Sequence, residues 1–504
     1  MVKFFFQLFV LLCPALVFAE TILNVKDFGA SADGKSDDTK AIQAAINFAD
    51  PSKKTTLFFP AGTYHIASFT ITSNYLENYC LKIHSNIHFK GEGNASIIRL
   101  ADNIFASADT NANAHLFYGS KVDNISYSNF MIDMNGQNNL VPKGIIKNNA
   151  GIFTSLGNNV HIEKISIKNC SGTNMINIMS KGQGLVIKDC TFFNGGNFVG
   201  SAKLINTNQI DFSFVYSEWD NTTVSNCKIF QQNIDIALAD YTGGIELHGN
   251  NSSIYHCDIT GCFPAIYISS TSYPLNNIRI YKNRLLDCAE GISFWIDYPM
   301  QDIYIEDNTI QLTHPRFNKT NIAAGIKIPN GNVTAYTRKL ANAAPITNLQ
   351  VSRNNIYAPL MKNLSAGMLL HSLQNSSIKD NIFKGMNYAG IGLLGSKWGM
   401  QSLLISNNQF VDFNLNQDEH AVAGYIVITD TYTPLQKNAP GFKNILFQKN
   451  KFIRKNSADN SKKIAKGKFL GGFIALPKEM QKHIQFKNNY FSNKSEKIHT
   501  VITD

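Results

Sequence analysis

One six-residue phrase recurs along the chain and leaves few folds open to it. The phrase is an aliphatic residue, two unrestricted positions, Asn or Cys, another unrestricted position, and then Ile, Phe or Leu. Ile187–Phe192, Ile254–Ile259, Ile280–Leu285 and Ile305–Ile310 are copies. Counted at the fourth position, the anchors are Phe130, Cys170, Cys190, Cys227, Cys257, Asn283, Asn308, Asn354, Asn381, Asn408, Asn450 and Asn489. Intervals of 25 to 30 residues recur, with longer ones of 37 to 46 between them. Upstream of many anchors stands a second phrase, a Gly or Ala followed by alternating apolar residues, as in Gly244–His248, Ala265–Ser269, Gly291–Trp295 and Gly325–Ile328. Alternation in short segments signals strands with one buried face. A period of 20–50 residues signals a solenoid. Together they predict an all-β chain wound as a parallel β-solenoid, with equivalent residues of successive coils stacked about 4.8 Å apart. A buried Asn repeated at one position then forms a ladder that satisfies its own amides, and Cys, small and at home in a core, substitutes in the same stack.

This reading absorbs the cysteines. Cys262 and Cys288 each lie five residues past an anchor and are expected to be neighbours, either as stacked thiols or as a disulfide. No cysteine spacing resembles a zinc site.

Composition narrows the function classes. Of the 504 residues 44% are hydrophobic and 16% charged, below the roughly 25% of an average domain, so neutral polar groups dominate the surface. Even spacing of the apolar residues excludes intrinsic disorder. Beyond the N-terminus no stretch approaches the roughly 20 apolar residues of a spanning helix. Residues 1–19 read as a secretory signal peptide: Lys3, the apolar run Phe4–Leu12, and Val17-Phe18-Ala19 at the cleavage site. A secreted protein, extracellular or periplasmic, is therefore expected.

The formal charge of +10 invites a nucleic-acid or acidic-polymer partner, but its position argues otherwise. Residues 437–504 hold 15 Lys and Arg against 4 Asp and Glu, leaving the preceding 436 residues at −1. The basic C-terminal coils and tail, centred on Lys462, Lys463, Lys466 and Lys468, suit contact with an anionic surface or simple solubility. They give no support to nucleic-acid binding.

Residues 20–75 read as an N-terminal cap and first coil, and residues 76–495 as the β-helix. Within the cap, Asn24–Ile46 carries NVKDFGASADGKSDDTKAIQAAI and Leu57–Ile66 carries LFFPAGTYHI. Asp37 or Asp38 is expected to cap a helix running to about Asp50 with an apolar face of Ala41, Ile42, Ala45, Ile46 and Ala49. Such a helix is a natural cover for the first coil of a solenoid. This segment resembles the N-terminal motif of the pectate-lyase-like superfamily, the rhamnogalacturonase/epimerase-type proteins. The resemblance implies a single-stranded right-handed parallel β-helix and a polysaccharide ligand. It does not fix the reaction, because the superfamily includes lyases, hydrolases, epimerases and phage tailspikes. The polygalacturonase motif series and the Tyr-Gly-x-Asp-Pro-His pattern of mannuronan epimerases are both absent.

Chemistry is expected where the second phrase turns polar residues outward. With Ile245 and Leu247 inward, Glu246 and His248 face out, followed on later coils by Tyr267 and Ser269, by Ser293 and Trp295 with Asp297 after them, and by Lys327. Most other coils offer bland residues there, such as Leu369, Gly392 and Leu394. Carboxylates and His supply proton transfer, and aromatics stack on sugar rings. Glu246, His248 and Asp297 are the catalytic candidates; Asp240, Tyr267, Trp295 and Lys327 are the substrate-binding ones. Hydrolysis would use Glu246 and Asp297 as acid and base, two coils or roughly 9–10 Å apart, near the inverting range of about 6.5–9.5 Å. β-Elimination by a polysaccharide lyase would use Lys327 or His248 as base. A glycan-binding adhesin or tailspike-like protein is the non-catalytic alternative. No metal site is expected; Ca²⁺ would enter only with a lyase, and no loop shows its ligand spacing.

Overall fold

The computed structural model describes residues 21–74, 77–104, 114–139, 149–196, 212–231, 242–313, 322–328, 345–358, 364–394, 399–413, 424–429, 441–453, 474–475 and 482–492. Three parallel sheets of 15, 15 and 13 strands run side by side, each strand pairing with its counterpart one coil away. The chain passes from first sheet to second to third and then climbs one coil, so the all-β solenoid expected from the repeat is what forms. Residues 1–20, and with them the signal segment, lie outside the described residues, as do Lys462, Lys463, Lys466 and Lys468. Among the described residues no helix is long and apolar enough to cross a membrane.

From the fourth coil onward, each coil is specified by the corner between the first and second sheets. A first-sheet strand ends, one polar residue turns the chain, the anchor points inward and a second-sheet strand begins. The turning residues are Asn129, Lys164, Asp189, Asn226, His256, Lys282, Asp307, Arg353, Asp380, Asn407, Lys449 and Asn488, all left-handed with φ between 51° and 58°. Asn and Asp tolerate that region better than other non-glycine residues, which explains their frequency there. This register corrects one anchor. In the coil of Asn158–Cys170 the anchor is Ile165, behind Lys164, and Cys170 lies at the next corner, behind Asn169.

From Asn283 onward the anchors form the expected ladder. Asn354 Nδ2 and its backbone N–H both donate to Asn381 Oδ1 at 2.9 Å, while Nδ2 also reaches Ile305 O at 2.9 Å. The same unit repeats at Asn283, Asn308, Asn381, Asn408 and Asn450, ending on Asn489. Before it the stack is Phe130, Ile165, Cys190, Cys227 and Cys257, all essentially fully buried. Inside the second sheet a ring stack runs alongside, with Phe410 stacked on Phe383 at 5.1 Å and on Phe452 at 4.9 Å. All seven described cysteines are buried and free, so the Cys262–Cys288 disulfide does not form. Burial pushes the Cys170 thiol up to about 12.

The glycine that opens the third-sheet phrase is forced by packing. A Cβ on Gly367 would stand 2.3 Å from Phe383 Cδ1 and 2.5 Å from Gly390 O. Helix α1 (Thr39–Phe48) occupies the third-sheet place in the first coil and buries Ile42, Ala45 and Ile46. It also closes the sheet edge: Gln43 Nε2 donates to Lys82 O at 2.9 Å and Gln43 Oε1 accepts from Lys82 N at 2.8 Å. This covers a row of backbone groups that would otherwise recruit another strand. The paired acids are structural. Asp38 is the N-cap, and its carboxylate accepts from the amides of Ser31, Ala32 and His65, whereas Asp37 accepts from Thr39 N.

Candidate functional site

Strand register on the third sheet places Asn177, Tyr216, Glu246, Tyr267, Ser293, Lys327 and Leu369 in one row. One strand spacing of about 4.8 Å separates each from the next. Glu246, Tyr267 and Lys327 thus share one row, Tyr267 next to Glu246 and Lys327 three strands, roughly 14 Å, from it. His248 lies two residues further on, near the row in which Ser269 pairs with Trp295.

Glu246 and His248 face away from the solenoid core, yet each is only 7% exposed. Glu246 Oε2 accepts from Ser213 Oγ at 2.7 Å, and Oε1 bonds His248 Nε2 at 2.9 Å. On the other side of the imidazole, Nδ1 lies 3.2 Å from Thr271 Oγ1. The Tyr216 ring packs against the imidazole, with centroids 4.8 Å apart. A carboxylate only accepts, so Nε2 carries the proton in the neutral ring and Nδ1 presents a lone pair. Both Glu246 oxygens are therefore engaged, and the available base is His248 Nδ1.

The remaining candidates divide. Tyr267 and Trp295 are half-buried beside the network. Lys327 Nζ bonds Glu290 Oε1, a carboxylate on a residue only 6% exposed, so the ammonium is neither a free base nor a free cation. Asp297 is half-buried in the turn after Glu290–Trp295, and no hydrogen bond or ion pair engages it among the described residues. It lies four residues past Ser293, which puts its backbone on the order of 15 Å from that of Glu246. The offset expected from coil number alone omitted this displacement along the strand. From His248 the corresponding backbone offset is roughly 12 Å, room for a sugar ring and a water. Asp240 lies outside the described residues.

Ser213, Tyr216, Glu218 and Thr271 complete the site and went unread in the sequence. Phe212-Ser213-Phe214-Val215-Tyr216 alternates as though Tyr216 pointed inward with the two Phe residues. Phe214 and Val215 are instead both fully buried, and this irregularity turns Tyr216 outward. The Tyr216 hydroxyl donates to Glu218 Oε1 at 2.8 Å, and Ser180 N donates to Glu218 Oε2 at 2.5 Å. Tyr273, pushed up to about 12 by burial and by the nearby Asp220 and Glu218 carboxylates, donates to Glu218 O at 2.9 Å. Among the described residues no group of three or more His, Cys, Asp or Glu could hold a metal ion.

A family model described as rhamnogalacturonase A/epimerase, pectate lyase-like matches residues 22–310. Mannuronan C5-epimerase AlgE2 of Azotobacter vinelandii is 39% identical over 116 residues, which is 23% of this chain and 11% of that protein. Alginate lyase 7 of the same organism is 42% identical over 80 residues, 16% of this chain and 9% of the relative. The chain thus spans about a tenth of the length of these relatives. Among solved structures, the tailspike protein of E. coli bacteriophage HK620 in complex with a pentasaccharide aligns with a TM-score of 0.59 and 15% identity, covering 93% of this chain and 78% of that one.

Proposed function

Because the chain belongs to the rhamnogalacturonase A/epimerase, pectate lyase-like family, we propose that it is a secreted carbohydrate-active protein that hydrolyses a glycosidic bond of a polysaccharide on the outer face of its third sheet. The observation that carries this reading is the buried Glu246–His248 pair on an outward-facing strand. A solvated scaffold residue has no need of two fixed partners. Burying a carboxylate is costly unless it is paired and hydrogen-bonded, and here the pairing aims an imidazole.

Glu246 holds the His248 tautomer and offsets the charge that the ring gains. His248 Nδ1 removes a proton from the attacking water while Asp297, as the acid, protonates the departing glycosidic oxygen. Tyr267, paired with Glu246 on the next strand, and Trp295, two residues before Asp297, are the aromatic rings nearest these groups and would stack on the sugar. A direct displacement by water gives inversion at the anomeric carbon.

β-Elimination uses the same base, and similarity to an alginate lyase favours it. It also requires a cation against the uronate carboxylate, and Lys327 is engaged by Glu290. Digestion of a panel of neutral and uronate polysaccharides decides between them. New reducing ends without ultraviolet-absorbing unsaturated ends support hydrolysis, and unsaturated ends overturn it. Glycan binding with no cleavage of any polymer identifies an adhesin.

A further inference from the structure

The third-sheet cluster holds one more group placed for chemistry. We infer that Thr271, His248 and Glu246 form a hydroxyl–imidazole–carboxylate relay that removes O-acyl groups from a glycan by ester hydrolysis. The contacts are Thr271 Oγ1 to His248 Nδ1 at 3.2 Å and His248 Nε2 to Glu246 Oε1 at 2.9 Å. Ser213 Oγ fixes the far carboxylate oxygen at 2.7 Å. Nucleophile, base and orienting acid thus occur in the order that defines such a relay. The ring is reversed relative to the usual serine hydrolase, with Nε2 towards the acid. Either nitrogen serves, because the two differ only in which neighbour fixes the tautomer.

Thr271 is exposed, so an acyl group can reach it, yet its turn is pinned at both ends. Ser270 N donates to Trp295 O at 2.9 Å and Ser270 Oγ to Tyr298 O at 2.8 Å. Beyond it, the Tyr273 hydroxyl reaches back two coils to Glu218 O at 2.9 Å, and Leu275 N donates to Pro299 O at 3.0 Å. These bonds hold the hydroxyl against the imidazole. The backbone amides of Ser272 and Tyr273 make no hydrogen bond among the described residues and lie next in the chain as donors to a developing oxyanion. Half-buried Tyr216 and Tyr267 supply ring faces for the sugar that carries the ester.

In the step, Thr271 Oγ1 bonds to the ester carbonyl carbon and its proton passes to His248 Nδ1. The imidazolium gives that proton to the departing sugar alkoxide. Water, deprotonated by the same nitrogen, then bonds to the acyl carbon; the bond to Thr271 Oγ1 breaks, the imidazolium returns its proton to Oγ1, and the carboxylic acid leaves. No oxidant or metal is needed, and water is the co-reactant.

The test follows acetate release from an acetylated glycan and from p-nitrophenyl acetate, together with covalent labelling by a fluorophosphonate probe. The full chain is expected to release acetate and to take the label on Thr271. Thr271→Val, which keeps the shape and removes the hydroxyl, is expected to lose roughly a thousandfold in rate and all labelling, whereas Thr271→Ser retains both. Acetate release by Thr271→Val at the full rate, a label on another residue, or no acetate from either substrate with the unsubstituted chain overturns the inference. Chain cleavage is read separately as reducing ends, so either activity can fail without the other.

Discussion

The corner between the first and second sheets and the outer face of the third sheet belong to the same coils but are organised differently. At the corner, one left-handed residue and one inward anchor recur in the twelve coils from Asn129 to Asn488, and each Asn of the ladder bonds the next in the same way. On the outer face, neighbouring coils present Asn177, Tyr216, Glu246, Tyr267, Ser293 and Lys327, no two alike in succession. Where stacking is the only requirement, repetition is the cheapest solution. Where a ligand has to be met, repetition gives way coil by coil. Under the proposed function, the difference separates stability from chemistry within a single turn of chain.

That separation is open to attack from either side. The largest expected effect is on catalysis: Glu246→Gln or His248→Ala lowers the rate of polysaccharide cleavage by roughly 10²–10⁴-fold, and Glu246→Gln, which leaves no unpaired buried charge, does so with little change in melting temperature. Parallel activity assays and thermal melts check this. A collapse of stability instead would make the pair a packing device. Asn354→Ala is expected to do the reverse. It strips the acceptor from Asn308 and removes the three bonds donated by Nδ2, to Ile305 O, Ser352 O and Asn381 Oδ1, costing roughly 3 kcal/mol as read from the urea midpoint, with cleavage below the transition unaltered.

Smaller effects sharpen the contrast within the ladder itself. Cys257 N already donates to Asn283 Oδ1 at 2.9 Å, so Cys257→Asn extends the amide ladder by one coil and is expected to stabilise by about 0.5–1.5 kcal/mol. A fall in melting temperature would show that the thiol stack is preferred there. The smallest effect is a silence. The seven described cysteines are expected to resist a water-soluble thiol reagent in the native protein and to react only on unfolding, because all are buried and burial pushes Cys170 up to about 12. Cys227 is the sensitive case, since hydrogen bonds from the Cys190 and Cys257 thiols lower it; labelling there before unfolding would reveal local opening.

Legibility in the sequence follows the same division. The ladder, the sheet alternation and the capping helix were readable, because each rests on contacts repeated from coil to coil. Glu246 and His248 were readable for a related reason: their strand keeps the alternation of its neighbours. Ser213 and Tyr216 were not, since Phe212–Ser217 breaks that alternation between Phe214 and Val215, and no local preference announces the break. Thr271 was unreadable because its role depends on a turn held by Trp295, Tyr298 and Pro299 of the next coil. Asp297 was placed on the correct turn, but a count of coils gives its height on the solenoid and not its position along the strand.

The polar residue that turns the chain ahead of each anchor has a consequence for how such a protein diversifies. It sets the pairing frame of the strands on either side, so extra residues inserted elsewhere in a coil leave the coils above and below in frame. Anchor spacings of 25 to 46 residues already show that tolerance, and the described strands pair in register on both sides of the 46-residue coil. Loops beside the third sheet can be exchanged one coil at a time, like tools in a fixed holder, and specificity can drift without the scaffold being rebuilt.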